Sequence, residues 1–351
     1  MRSLNLYRRK NKASYNELIT SINDALLGSR DCFGYRLMSQ WLLTQGIVTD
    51  RETVLIILKE LDPIGVSCRS AHRFRRRIYL SKGPNFIWHS DGYDKLKPYG
   101  LAIHAAIDGW SRKLLWLAVG STNNDPRVVG SYFMEIISRL DFTSKFIRAD
   151  RGSENVVIAG IQRYFNRGNT DGGLSSFQFG TSVRNQRIES WWSIFRRNRA
   201  NFWINFFKDM CDQLIYDPSV LWEVSLLRYC FIGILQTELD ETLELWNNHR
   251  IRKVRNSECP SGRPNILYSL PDNNGGEDCK VPLPLNDVIS AQQHVTPGPF
   301  LGCSEEMCTL ITSVRRENNL EMPENAEEAK RLEEAKHLFV QLRRELSMLF
   351  L

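Results

Sequence analysis

The chain contains no run of about 18 uncharged apolar residues, the length that a bilayer-spanning helix requires. Its opening stretch, MRSLNLYRRKNKASYNE, lacks the apolar centre of a secretory signal, so a soluble, intracellular protein is expected. Cysteine is present but unpatterned. The eight (Cys32, Cys68, Cys211, Cys230, Cys259, Cys279, Cys303 and Cys308) include no CxxC pair and no His-His-Cys-Cys spacing, which argues against a disulfide framework and against a zinc site. Cys303 and Cys308, with His294 nearby, come nearest to a soft-metal set, but their ligand spacing is incomplete. No internal repeat or long low-complexity stretch is visible.

Hydrophobic residues make up 42% of the 351, enough for a sizeable core and two or three domains. The net charge of +6 is unevenly spread. Residues 1–80 carry 14 Lys and Arg against 7 Asp and Glu, residues 81–270 carry 24 against 19, and residues 271–351 carry 8 against 14. A basic front and middle joined to an acidic tail fit a protein whose first two parts meet a polyanion. An unevenly charged solvated surface is the plainer alternative.

The stretch SYNELITSINDALL (14–27) opens with a capping-box pair, Ser14 and Glu17, ahead of Leu18, Ile22, Ala25 and Leu26 at helical spacing. A second helix is expected from Gly34, with Tyr35, Met38 and Leu42 on one face, ending at Gly46. A third opens with Thr49 and Glu52 as another capping box and runs through Val54, Ile57, Leu58 and Leu61 to Asp62-Pro63. Two helices joined by a short Gly-containing turn have the outline of a helix-turn-helix. The segment after them, CRSAHRFRRRIYL, is a basic arm in which Arg69, Arg73, Arg75, Arg76 and Arg77 could track phosphates.

From Asn85 the pattern turns to strands. NFIWHSDGY, LAIHAAID and KLLWLAVG read as three consecutive antiparallel strands, the last two joined through the turn signal Asp108-Gly109. A helix from Pro126 to Leu140 follows, then the short strand KFIRAD, a helix through Val156, Ile158 and Ile161, a Gly-rich loop, and the strand FQFG. NQRIESWWSIFRRNRANFW then has helical periodicity. The order predicts an α/β domain with one mixed sheet flanked by helices. Residues 217–248 form a long helical region opened by Asp217-Pro218 as N-cap and N1, and 324–350 a charged amphipathic helix with Leu332, Ala335, Leu338, Phe339 and Leu342 on one side. The domain reading is a helical helix-turn-helix-like domain at 1–66, a basic linker at 67–84, the mixed-sheet core at 85–270, an acidic, Gly- and Pro-containing linker at 271–323 and a terminal helix at 324–351.

Three acids stand at informative places. Asp91 lies in or at the end of the first strand, Asp150 at the end of the fourth, and Glu189 in the helix after the last. If the first and fourth strands are neighbours, their carboxylates face one another, and a helical glutamate packed alongside completes a cluster that repels itself without cations. Hard oxygen ligands suit magnesium. Two such ions about 3.5–4 Å apart would clamp the attacking and leaving oxygens of a phosphoryl transfer. Strand-end turn chemistry is the bland alternative for Asp91 and Asp150, and a surface salt bridge for Glu189. Asp94 reads as solvated, Asp108 as a hairpin residue, Glu154 as an acid at a helix start, and His104 as a sheet residue. Trp191 and Trp192 read as core packing, with base stacking as the rival.

WHSDGYD, ADRGSEN and NQRIESWW resemble the three acidic motifs of the retroviral-type integrase core, shared by retroelement integrases and many transposases. In this chain 58 residues separate Asp91 from Asp150 and 38 separate Asp150 from Glu189, the second gap being close to the usual one in that family. AIDGWSRKLLWLAVG resembles its second and third strands and ELWNNHRIRKVRNSECPSGRP its closing segment. The resemblance implies an RNase H-like fold with a mixed five-stranded sheet. It further implies Asp91, Asp150 and Glu189 as catalytic residues holding two magnesium or manganese ions, DNA as partner, homo-oligomerisation and nuclear residence. Arg187, Arg196, Arg197 and Arg199, along the Glu189 helix, are candidates for the DNA backbone. There are departures: no zinc-binding amino-terminal domain is recognisable, Asn155 stands where relatives often have an aromatic residue, and an acidic tail, which a protein partner would suit, replaces a basic terminal barrel. The rival functions are a silent core retained for nucleic-acid or protein binding, and a nuclease acting on RNA–DNA hybrids.

Overall fold

A computed structural model describes residues 12–26, 33–70, 81–180, 185–253, 259–323 and 328–350, without the side chains of 68–70, 328, 329 and 350. The chain divides into two compact units, 1–78 and 79–351.

The first unit holds helices α1 (Tyr15–Leu26), α2 (Tyr35–Thr44), α3 (Arg51–Leu61) and α4 (Pro63–Ser70). The apolar positions at helical spacing meet in one core of Leu18, Ile22, Ala25, Met38, Leu42, Val54, Ile57 and Leu58. Ser14 Oγ accepts from Glu17 N at 3.3 Å, as the capping pattern predicts. The cap of α3 is shifted by one residue from expectation. Asp50, not Thr49, accepts from Thr53 N at 2.9 Å, and its carboxylate also meets Lys12 at 2.5 Å, a pairing that a hydroxyl would not match. The helical path does not stop at Asp62-Pro63: Asp62 accepts from Gly65 N at 2.9 Å and Pro63 takes the first position of α4. Arg69 lies on α4, its side chain not described, and Arg73, Arg75, Arg76 and Arg77 lie outside the described residues.

The second unit runs β1 (Ile87–Tyr93), β2 (Ala102–Asp108), β3 (Leu114–Gly120), α5 (Pro126–Leu140), β4 (Phe142–Thr143), β5 (Phe146–Asp150), α6 (Val156–Phe165) and β6 (Phe177–Gly180). It continues through α7 (Gln186–Phe195), a π turn over Arg196–Ala200, α8 (Asn201–Asp212), α9 (Leu221–Asn248), α10 (Pro264–Ser269), β7 (Val281–Pro282), α11 (Leu285–Gln292), α12 (Glu305–Glu317) and α13 (Glu328–Phe350). The five-stranded sheet has the order β3-β2-β1-β5-β6. β1 is antiparallel to β2 and β2 to β3, while β5 runs parallel to both β1 and β6. Helices cover both faces, which is why every residue of β2 is buried. Trp88, Ala106 and Ile147 pack against Phe133, Ile137 and Ile158, and Ile103, Ala105 and Ile107 share the opposite core with Trp191, Phe207 and Phe231.

The Asp108-Gly109 signal is a hairpin whose carboxylate is fully buried. Asp108 accepts from Asn85 N (2.8 Å), Trp110 N (3.2 Å), Ser111 N (2.8 Å) and Ser111 Oγ (2.7 Å). Burial pushes its carboxyl up, and these donors pull against it. Two expectations fail farther on. The long helix opens at Leu221 rather than at Asp217, because Asp217 closes a local turn, accepting from Ser219 N at 2.9 Å and Ser219 Oγ at 2.7 Å. Residues 271–323 are no linker: β7 pairs with β4, α11 packs on α5 and α12 on α9. Nor is α13 a separate appendage, since Leu338, Phe339 and Leu342 are buried in the core beside α9.

Candidate active site

Parallel pairing of β1 with β5 sets the first two carboxylates side by side. Ile87 faces Phe146, Trp88 faces Ile147 and His89 faces Arg148, so the same register carried on two residues places Asp91 across from Asp150. In a parallel pair such residues point to one face of the sheet. Tyr93, on that face of β1, packs with Trp192 and Phe195 of α7, so α7 lies over the carboxylates and contributes Glu189 to the same side.

The three side chains are half-buried and feel one another. Burial first, then the charges of Glu189 and Asp150, push the Asp91 carboxyl up to about 7, against the donors Trp192 and Gly92 N–H. Burial and the Asp150 charge raise Glu189 as well. The donor set is all carboxylate oxygen, which fits magnesium or manganese rather than a soft metal. Among the described residues, no group of three or more His, Cys, Asp or Glu is already drawn together as a metal cage. The fit is therefore one of donor chemistry and shared repulsion.

Several neighbours hold these acids or the strand beside them through contacts that sequence reasoning missed. Trp192 Nε1 donates to Asp91 Oδ2 at 3.0 Å. Asn185, the residue before α7, donates through Nδ2 to Ser90 O at 2.9 Å, while its Oδ1 meets His89 Nδ1 at 2.8 Å. Asn155 Nδ2 donates to Asp150 Oδ1 at 3.3 Å and Glu154 Oε1 at 3.0 Å. For Asn185 and Trp192 the signal in the chain is helical spacing, Asn185 four before Glu189 and Trp192 three after it. An added Cβ at Gly92 would lie 2.4 Å from Asn123 Nδ2 and displace that side chain. Asn123 in turn donates to Asp94 Oδ1 at 2.9 Å, and Lys97 pairs with Asp94 Oδ2 at 2.9 Å, so Asp94 is exposed and already engaged. Glu154 is raised by burial and by Asp150.

The arginines of the Glu189 helix divide. Arg187 is turned inward, its Nε donating to Gly109 O at 2.9 Å and its Nη2 to Cys259 Sγ at 2.7 Å, which sets it apart from the expected row of phosphate contacts. Arg196 and Arg197 are exposed on the π turn, and Arg199 is half-buried. Trp191 and Trp192 are 2% and 6% exposed, so both are core residues and neither offers a free face for a base. His104 is buried in the sheet, accepting from Trp116 Nε1 at 3.1 Å. Cys303 donates to Ser225 O at 3.0 Å, away from any metal role. Among the described residues no helix is long and apolar enough to cross a membrane.

A mixed sheet of this order, helices on both faces and acids at the ends of its neighbouring central strands define an RNase H-like fold. The integrase core domain family model matches residues 78–262, more than half of the chain, and the protein belongs to that family. No curated protein matches the chain.

Proposed function

We propose that this protein is a divalent-metal-dependent polynucleotidyl transferase that cleaves and joins DNA phosphodiesters, with Asp91, Asp150 and Glu189 as its catalytic residues. The observation that carries the reading is the convergence of these three carboxylates on one face of the sheet, with Glu189 and Asp150 close enough to raise Asp91, and Asp150 close enough to raise Glu189. Magnesium or manganese bound there would stabilise charge on the phosphate and on the attacking oxygen. Asp91 and Asp150, fixed on adjacent strands, supply rigid ligands. Glu189 approaches from a helix and closes the set. Trp192 and Asn155 occupy one oxygen of Asp91 and of Asp150 and so orient the others.

The exposed Arg196 and Arg197 beside this face, with the basic stretch Arg69–Arg77, supply phosphate contacts that would make binding strongly salt-dependent. The test is incubation of purified protein and its Asp150→Asn variant with labelled duplex DNA and RNA–DNA hybrid, in magnesium, manganese or chelator. Metal-dependent nicking or strand transfer by the wild type, lost in the folded variant, is the expected result. Turnover confined to the hybrid would reassign the protein as a nuclease. No turnover on either substrate, with DNA binding intact, would leave a binding protein.

A further inference from the structure

Asn185, Glu189 and Trp192 stand four and three residues apart, and so share the side of α7 that faces β1. Three successive residues of that strand receive them. Asn185 meets His89 and the Ser90 carbonyl, and Trp192 meets the Asp91 carboxylate. We propose that Asn185 and Trp192 are positioning residues, a two-point clamp that fixes α7 on β1 and thereby sets the separation and orientation of Glu189 and Asp91 for a divalent cation. This rests on the metal-dependent reading above.

Hydrogen-bond chemistry leaves the Asn185 amide one orientation. The Ser90 carbonyl can only accept, so the amide nitrogen faces it. The amide oxygen then faces His89, whose Nδ1 must carry the proton. Asn185 is 1% exposed and His89 is fully buried, so removing the asparagine strips both His89 and the Ser90 carbonyl of a partner inside the protein. The backbone of the same residue accepts from Glu189 N at 3.3 Å, which links the clamp to the first turn of the helix and to the acid itself.

The second point is held equally firmly. The Trp192 ring lies 5.0 Å from Tyr93, 4.9 Å from Trp191 and 5.7 Å from Phe195, centroid to centroid, so the indole cannot swing away. Its N–H donates to Asp91 Oδ2 and so restrains the rotation of that carboxylate. A hydrogen bond of this kind to a ligand typically governs metal affinity by about 10–100-fold.

Trp192→Phe keeps the ring packing and deletes only the N–H; Asn185→Ala deletes the other point. Each full-length variant is titrated with Mn2+ alone, free Mn2+ being read by electron paramagnetic resonance, with circular dichroism confirming the fold. The expected result is an Mn2+ Kd raised about tenfold or more in each. Amide hydrogen exchange in the first turn of metal-free α7 should also be faster in Asn185→Ala. A folded variant with wild-type Kd removes that residue from the clamp, and if Trp192→Phe fails to fold the asparagine variant decides. Wild-type protein that does not bind Mn2+ overturns the metal reading, and unchanged exchange in Asn185→Ala then overturns the clamp as well.

Discussion

Arg343 of α13 grips Glu223 of α9 through two nitrogens, Nε at 2.9 Å and Nη2 at 2.8 Å from the same carboxylate oxygen. Glu223 is 3% exposed, and its other oxygen accepts from Asp217 N at 2.8 Å. The acidic tail is thus tied into the unit that carries Asp91, Asp150 and Glu189. Arg343→Ala strands a buried carboxylate. Breaking such pairs costs about 3–5 kcal/mol, and the part-exposed arginine brings the expected loss to about 2 kcal/mol, read as a lower urea midpoint at unchanged slope.

Removing one of the mutually repelling acids should stabilise the metal-free protein. Asp91, held near 7 when folded against about 4 when unfolded, binds more protons in the folded state between those values, so its contribution weakens stability as pH rises through that window. Glu189→Gln lowers that repulsion. The metal-free variant should melt above wild type at pH 7.5, and millimolar magnesium should raise the wild-type midpoint more than the variant's. Equal midpoints with and without magnesium in both proteins would sink the prediction.

His104 acts with the opposite sign. Burial pushes its imidazole down to about 3, so the unfolded chain binds the proton first. Its stabilising contribution is complete above about 6.5 and is lost as pH falls toward 3, at about 1.4 kcal/mol per pH unit. The His104→Gln variant should therefore show a shallower fall of unfolding free energy between pH 6 and 4.5 than wild type, by about that slope. Denaturant titrations at four pH values would measure it.

The helix arginines should separate by readout. Replacing Arg196 and Arg197 by Ala should weaken DNA binding at low salt and reduce the slope of log K against log salt by about 0.9 for each phosphate that is no longer neutralised. Arg187→Ala should leave that slope alone and instead lower stability, since its guanidinium serves Gly109 and Cys259. A slope unchanged in the double variant would move the DNA surface elsewhere.

Much of this was legible in the residue order, for a local reason. The capping pair Ser14 and Glu17 and the Asp108-Gly109 turn act between near neighbours, and Pro126–Leu140 forms its helix with the bounds that its own apolar period marks. The acids Asp91, Asp150 and Glu189 were visible by motif and spacing. The cap at Asp50 was not, because it turns on which of two adjacent polar groups wins a backbone donor, and the delayed start of α9 was not, because Asp217 engages its carboxylate in a turn with Ser219.

By itself, then, the sequence determined the elements, the apolar stripes they would bury and the placement of three acids at two strands and a helix. Tertiary structure decided which of those acids share a face, that Arg187 turns inward, that Asn185 and Trp192 bind α7 to β1, and that the acidic tail belongs to the larger unit. Periodicity and turn chemistry are written within a few residues, whereas these pairings join groups remote in the chain and exist only once strand register and helix packing have closed the distance.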